Sequence, residues 1–178
     1  MVRCFIGLML PDELRDNIEK VQNILKKLPM DCKMVESENL HICLSFLGDV
    51  EEAKIKDIEQ KLDDICHRYA SDEAEISGIK LIPSEKYFRV IAFDCQSEML
   101  RSLGRDISKE IGGDAYPPHL TLCRVRNIHK KEDVVDKIKK IEPYVGKFTV
   151  PLVEIIKSQL GKASPVYTTL HRSKLLES

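Results

Sequence analysis

Apolar positions along this chain alternate between a strand-like spacing of two and a helix-like spacing of three or four. Residues 5–10 form a short apolar run that predicts a buried strand. Pro11 then stands where proline commonly opens a helix. Leu14, Ile18, Val21, Leu25 and Leu28 recur on one face of that helix until Pro29. A short strand is predicted at 33–35 and a clear one at 41–47, closed by Gly48-Asp49. From about Glu51 a second helix carries Ile55, Ile58, Leu62, Ile65 and Tyr69 on one side. The second half repeats the theme. Strands are predicted at 74–82 and 87–93, separated by Pro83-Ser84-Glu85, and a helix at 98–111 turns Leu100, Leu103, Ile107 and Ile111 inward. Gly112-Gly113 ends that helix. A strand at 119–125, a helix at 131–141 stopped before Pro143, and closing strands at 148–156 and 166–170 complete the pattern.

This order mixes strands and helices without the regular alternation of a parallel sheet. Two segments, beginning at His41 and His119, share one plan of strand, turn and helix. The expected fold class is therefore α+β. It would be bilobal, with two pseudo-symmetric antiparallel sheets and helices on their outer faces. No linker or low-complexity stretch divides the chain, so residues 1–178 are expected to form one domain.

Composition narrows the functional classes. Of the 178 residues 43% are hydrophobic, enough for a proper core, and 32% are charged, which keeps the surface solvated. Net charge is −1, unlike the clearly basic proteins that grip long nucleic acid non-specifically, although a local cationic pocket is compatible with it. No stretch is long and apolar enough to cross a membrane. The N-terminal apolar run has one Arg before it, and Pro11-Asp12-Glu13 follows where a cleavage site would lie, so it reads as a strand rather than a signal peptide. Six cysteines lie scattered with no C-x-x-C pair, a spacing that suits buried reduced thiols better than zinc or disulfides. A cytoplasmic location is expected.

The chemistry concentrates in His41-Ile-Cys-Leu-Ser-Phe-Leu-Gly48 and His119-Leu-Thr-Leu-Cys-Arg-Val125. Alternate side chains of a strand share a face. His41 and Cys43 would point one way while Ile42 and Leu44 enter the core, and His119 with Thr121 would do the same over Leu120 and Leu122. Strands set side by side would aim two imidazoles at one cleft. That pair suits phosphodiester chemistry: a neutral imidazole takes a proton from water, and a protonated one gives a proton to the leaving sugar oxygen. A hydroxyl two residues on can hydrogen-bond the phosphate, and no metal is needed. His67, His129 and His171 read as surface residues. Arg126 and His129-Lys130-Lys131 read as a solvated basic segment.

These stretches resemble the H-x-[ST]-L-x-F-L-G and P-H-x-T-L-x-R motifs of the 2H phosphoesterase superfamily, in its RNA 2′,3′-cyclic phosphodiesterase (2′-5′ RNA ligase-like) branch. The opening from Arg3 to Pro11 is similar to that branch's R-x-F-[IV]-[AG]-[IL]-x-L-P. Ser158-Gln-Leu160 with Ser164-Pro-Val-Tyr-Thr-Thr-Leu170 is similar to its closing S-x-L…G-P-x-Y-x-x-L. The resemblance implies a pseudo-twofold fold whose histidines meet in a central groove. It implies His41 as proton donor to the 3′ oxygen, His119 as base for water, and a 2′-phosphate product. It also implies Thr121 and Arg124 as phosphate contacts and Phe46 as part of the nucleoside pocket. Strict alternation turns Arg124 and Phe46 away from the histidines, so both reach the groove only where the strands twist or bulge. Cys43 stands where the motif has Thr or Ser. A thiol is a weak donor, which leaves open slower catalysis or a phosphate resting mainly on Thr121 and a cation.

The leading expectation is thus a metal-independent and cofactor-free hydrolase of RNA 2′,3′-cyclic phosphate ends, acting on RNA termini or short oligonucleotides as a monomer. Reversible 2′-5′ joining of RNA ends is the alternative within enzymology. From another class, a weakly catalytic module that binds RNA ends or nucleotides is the alternative that Cys43 keeps open.

Overall fold

The computed structural model describes residues 1–141 and 144–178. Its first strand, β1 (Val2–Met9), runs into α1 (Asp12–Leu25), whose Leu14, Ile18, Val21 and Leu25 are all buried. β2 (Met30–Met34) and a single 3-10 turn at Ser37–Asn39 lead to β3 (His41–Val50) and α2 (Glu52–Cys66). β4 (Asp72–Pro83) pairs with β5 (Phe88–Gln96), and α3 (Glu98–Glu110) follows. The hydroxyl of Ser97 caps α3 by accepting from the Leu100 N–H at 3.2 Å. A two-residue strand, β6 (Asp114–Ala115), precedes β7 (His119–Ile128) and α4 (Lys131–Lys139). Strands β8 (Tyr144–Val150), β9 (Leu152–Gln159) and β10 (Val166–Lys174) close the chain. The predicted stop of the fourth helix before Pro143 lies outside the described residues. No helix among the described residues is long and apolar enough to cross a membrane.

The strands line up antiparallel in the order β10-β9-β1-β3-β7-β5-β4-β8. The middle of that path is thin, because β3 and β7 pair only through Ile42 and Leu120. The two expected sheets are therefore halves of one curled sheet that meet at a single residue pair. Each half has four long strands, with β3 and β7 in equivalent places. The halves also exchange pieces reciprocally. β2, which precedes β3, pairs with β7, and β6, which precedes β7, pairs with β3. The helices follow the same exchange: α1 packs on β7 and β8, whereas α2 and α3 pack together over β3, β9 and β10. Such crossing ties the halves into one core, in which Ile6, Ile18, Leu40, Ile42, Leu44, Phe88, Phe93 and Leu122 are buried.

One prediction is corrected. The apolar segment 148–156 is two strands, not one, and they lie far apart in the sheet: β8 pairs with β4, and β9 with β1 and β10. Pro151 separates them. It has no N–H to give a ladder, and its carbonyl accepts instead from the Leu175 N–H at 3.0 Å. β6 was also invisible in the pattern. It sits on β3 because Gly113, at φ 88°, lets the chain approach so closely that a Cβ there would lie 2.5 Å from the Ser45 Oγ.

Candidate active site

His41 and His119 each open a central strand, one residue before the Ile42–Leu120 pair that joins the halves. Extending that antiparallel register by one step sets His41 across from Thr121 and Cys43 across from His119. In a regular ladder the two imidazoles are then diagonal neighbours, about 7–8 Å apart at Cα, a gap that suits one phosphate. Each ring is held the same way. The Nδ1 of His41 donates to the Asn39 carbonyl at 2.6 Å, and the Nδ1 of His119 donates to the Pro117 carbonyl at 2.9 Å. A carbonyl only accepts, so each Nδ1 carries the hydrogen and each Nε2 is left for other chemistry.

Both strands carry a β-bulge at the same place relative to their histidine. In the pairing of β1 with β3, Ile6 faces Ser45 and Gly7 faces Cys43, so Leu44 has no partner. In the pairing of β5 with β7, Ile91 faces Cys123 and Ala92 faces Thr121, so Leu122 has none. One extra residue shifts the side-chain alternation by one. Leu44 and Ser45 are accordingly both buried, as are Leu122 and Cys123. Phe46 and Arg124, which strict alternation turned away, come back to the histidine side. Gly7 makes the first bulge possible, since a Cβ there would lie 2.2 Å from the Ile42 carbonyl oxygen.

The result is an open cleft of about 630 Å³ lined by His41, Cys43, Phe46, His119, Thr121 and Arg124. All six residues singled out in the sequence therefore meet in one place. Others come from segments that no local pattern tied to the site. Tyr167 on β10 packs edge-on against His41, with ring centres 5.2 Å apart, and Phe5 lies 4.7 Å from the same imidazole. Tyr116 stands 6.4 Å from His119, also edge-on. Lys33 enters beside Arg124, its register partner on β7, and its ammonium donates to the Ala163 carbonyl. Asn39, whose carbonyl holds His41, donates through its amide to the Pro165 carbonyl at 2.9 Å, anchoring the loop between β9 and β10. Tyr167 lies within the closing motif quoted above, and that motif was the available signal for it.

The electrostatics follow from burial. Desolvation lowers the pKa of His41; the Asn39 carbonyl opposes this, and the nearby charges of His119 and Arg124 reinforce it. Burial pushes the Cys43 thiol up to about 12. Near neutral pH it is therefore an uncharged thiol, which neither repels phosphate nor serves as a ready nucleophile. Among the described residues no group of three or more His, Cys, Asp or Glu side chains is placed to hold a metal ion. Of the remaining histidines, His67 and His129 are exposed as expected. His171 is not a plain surface residue: it is half-buried and bonds Asp63 at 2.8 Å, and the Ser173 hydroxyl donates to the same oxygen at 2.6 Å.

A curled antiparallel sheet with two imidazoles lining a cleft at its centre can exchange protons with a bound group. Comparison with known proteins gives the class, a phosphoesterase. The family described as "LigT like Phosphoesterase" matches residues 8–92. The chain is 34% identical to an RNA 2′,3′-cyclic phosphodiesterase of Methanothermobacter thermautotrophicus, covering 98% of this chain and 99% of that protein. It is 28% identical to an enzyme of the same name from Methanocaldococcus jannaschii, covering 95% and 98%. Among solved structures, a Thermus thermophilus protein superposes with a TM-score of 0.82 at 21% identity, over 98% of both chains. Escherichia coli LigT in complex with 3′-AMP does so with a TM-score of 0.77 at 21% identity, over 99% of both. The chain belongs to the LigT-like phosphoesterase family, the family of these RNA 2′,3′-cyclic phosphodiesterases.

Proposed function

We propose that the protein hydrolyses RNA 2′,3′-cyclic phosphate ends to 2′-phosphates by acid–base catalysis between its two histidines. The observation that carries this reading is the matched pair of imidazoles, each tied through Nδ1 to a main-chain carbonyl two residues earlier, with both rings lining one cleft. The names of the full-length relatives supply the substrate class. In the proposed reaction the Nε2 of neutral His119 takes a proton from water as its oxygen bonds to phosphorus. The bond from phosphorus to the 3′ oxygen breaks, and the Nε2–H of protonated His41 gives that oxygen its proton. Burial favours neutral His41 when no phosphate is bound. The anionic phosphodiester opposes this and loads the proton donor as substrate enters. Arg124 and the Thr121 hydroxyl stabilise the charge that grows on the phosphate oxygens, and Cys43 contributes only a weak donor. Phe46 lines the nucleoside side. The working unit in this reading is a cytoplasmic monomer, residues 1–178 acting as one domain on RNA termini or short oligonucleotides, with no cofactor.

Purified protein incubated with uridine 2′,3′-cyclic phosphate in excess EDTA tests this directly. The expected product is uridine 2′-phosphate. Activity that vanishes in EDTA and returns with a divalent metal would sink the two-histidine mechanism. Predominant 3′-phosphate would reverse the donor and base assignments.

A further inference from the structure

The cleft does not stop at the histidines. Beyond Arg124 the same end of the sheet gathers the last residues of β7, the first of β5 and the turn that joins β4 to β5. Ile82 and Val90, partners across β4 and β5, line the cleft there. Arg124 pairs with Val90 and Lys33, so three strands deliver their side chains to one spot. Two residues farther along β7, about 7 Å on, Arg126 is exposed. Its carbonyl accepts from the Nη1 of Arg89 at 2.9 Å, which holds that guanidinium beside the strand. Arg89 also donates through Nε to the Tyr87 hydroxyl at 2.9 Å, and its guanidinium carbon lies 4.9 Å from the centre of the Tyr87 ring. Tyr87 is nevertheless 57% exposed. Arg89 thus commits its hydrogen bonds to a carbonyl and a phenol rather than to a carboxylate, and keeps its positive charge. Glu85, the acid in this turn, is paired with Lys139 at 3.2 Å.

We propose that this ledge of Arg126, Arg89 and Tyr87 is a binding site for the RNA chain on the 5′ side of the reacting end. The proposal rests on the reading of the cleft as the site for a cyclic phosphate terminus. Such an end has no 3′ continuation, so the rest of the chain leaves in the 5′ direction only. The ledge offers what single-stranded RNA binds: two exposed guanidinium groups for phosphates, that of Arg89 held in place by its hydrogen bonds, and an aromatic ring already stiffened by a cation for a base to stack on. Two cations and one ring serve a short stretch of chain, which fits a protein whose net charge is −1 overall. The ledge therefore selects oligonucleotide ends over free cyclic nucleotides.

The test compares uridine 2′,3′-cyclic phosphate with a uridine tetranucleotide carrying the same cyclic end, in the wild type and in Tyr87→Ala and Arg89→Gln. The wild type is expected to show the higher kcat/KM on the tetranucleotide. Each variant should lose about fivefold or more of that kcat/KM and leave the mononucleotide rate unchanged. The tetranucleotide advantage should also shrink with added salt. Equal rates on both substrates in the wild type, or variants that slow both alike, overturn the ledge while leaving the cleft reading intact. If neither substrate is cut, the cleft reading fails. Fluorescence anisotropy with a 5′-labelled tetranucleotide ending in a 2′-phosphate then decides the ledge alone: weaker binding by the variants supports it, and unchanged binding refutes it.

Discussion

Replacing Cys43 by Thr is expected to preserve or raise turnover, and the reason can be followed atom by atom. Cys43 and Thr121 occupy matching positions, each two residues after a histidine and one residue before an unpaired leucine, and both line the cleft. One offers phosphate a hydroxyl, the other a thiol. With its pKa pushed up to about 12 by burial, Cys43 stays a neutral thiol at pH 7. It thus offers phosphate neither repulsion nor a strong donor. A hydrogen bond to a charged group contributes about 1.5–3 kcal/mol, and the thiol realises little of it. Only the part that strengthens in the transition state raises kcat, so a gain up to about tenfold corresponds to about 1.4 kcal/mol. Cys43→Ala should cost less than about threefold, since it removes a weak donor. Steady-state hydrolysis of one cyclic nucleotide at pH 7, with thermal melts to confirm folding, measures both. A folded but inactive Cys43→Thr refutes the phosphate-contact role. Loss of activity in both variants would make Cys43 a nucleophile despite its raised pKa.

The remaining predictions concern charge, pH and backbone. Arg124→Ala removes the guanidinium that lines the cleft and should lower kcat/KM by about tenfold or more, with Arg124→Lys recovering part of it; unchanged kinetics would place the phosphate elsewhere. Because the folded pKa of His41 is lowered, the unfolded chain takes up that proton first as pH falls below about 6.5. The contribution of His41 to stability is therefore present above that value and lost as pH falls toward the lower folded pKa. Urea midpoints between pH 7.5 and 5.5 should drop more for the wild type than for His41→Gln, and parallel curves would contradict this. Gly7→Ala drives a Cβ into the Ile42 carbonyl; it should displace β3 and cost activity beyond any loss of stability, as read from kcat beside the melting temperature.

The helices and the two histidine strands were legible in the sequence because they rest on local periodicity. Leu14, Ile18, Val21 and Leu25 are buried on α1, and Leu100, Leu103 and Ile107 on α3, as their spacing required. His41 with Cys43 and His119 with Thr121 share the cleft because a strand alternates. Alternation fails where two strands disagree in residue count, and that is a property of the pairing rather than of either strand. Nothing in Leu44 or Leu122 marks a bulge; Gly7 opposite Cys43 and the partners supplied by β5 create them. Only the folded sheet could therefore return Phe46 and Arg124 to the histidine side. Pro151 did carry a local signal that residues 148–156 break in two, but not that the halves join opposite ends of the sheet. Tyr167, Lys33 and Phe5 reach the cleft from three separate strands. Their placement follows from which strands share hydrogen bonds, and a one-dimensional hydrophobic pattern records which face each residue takes without recording its neighbour.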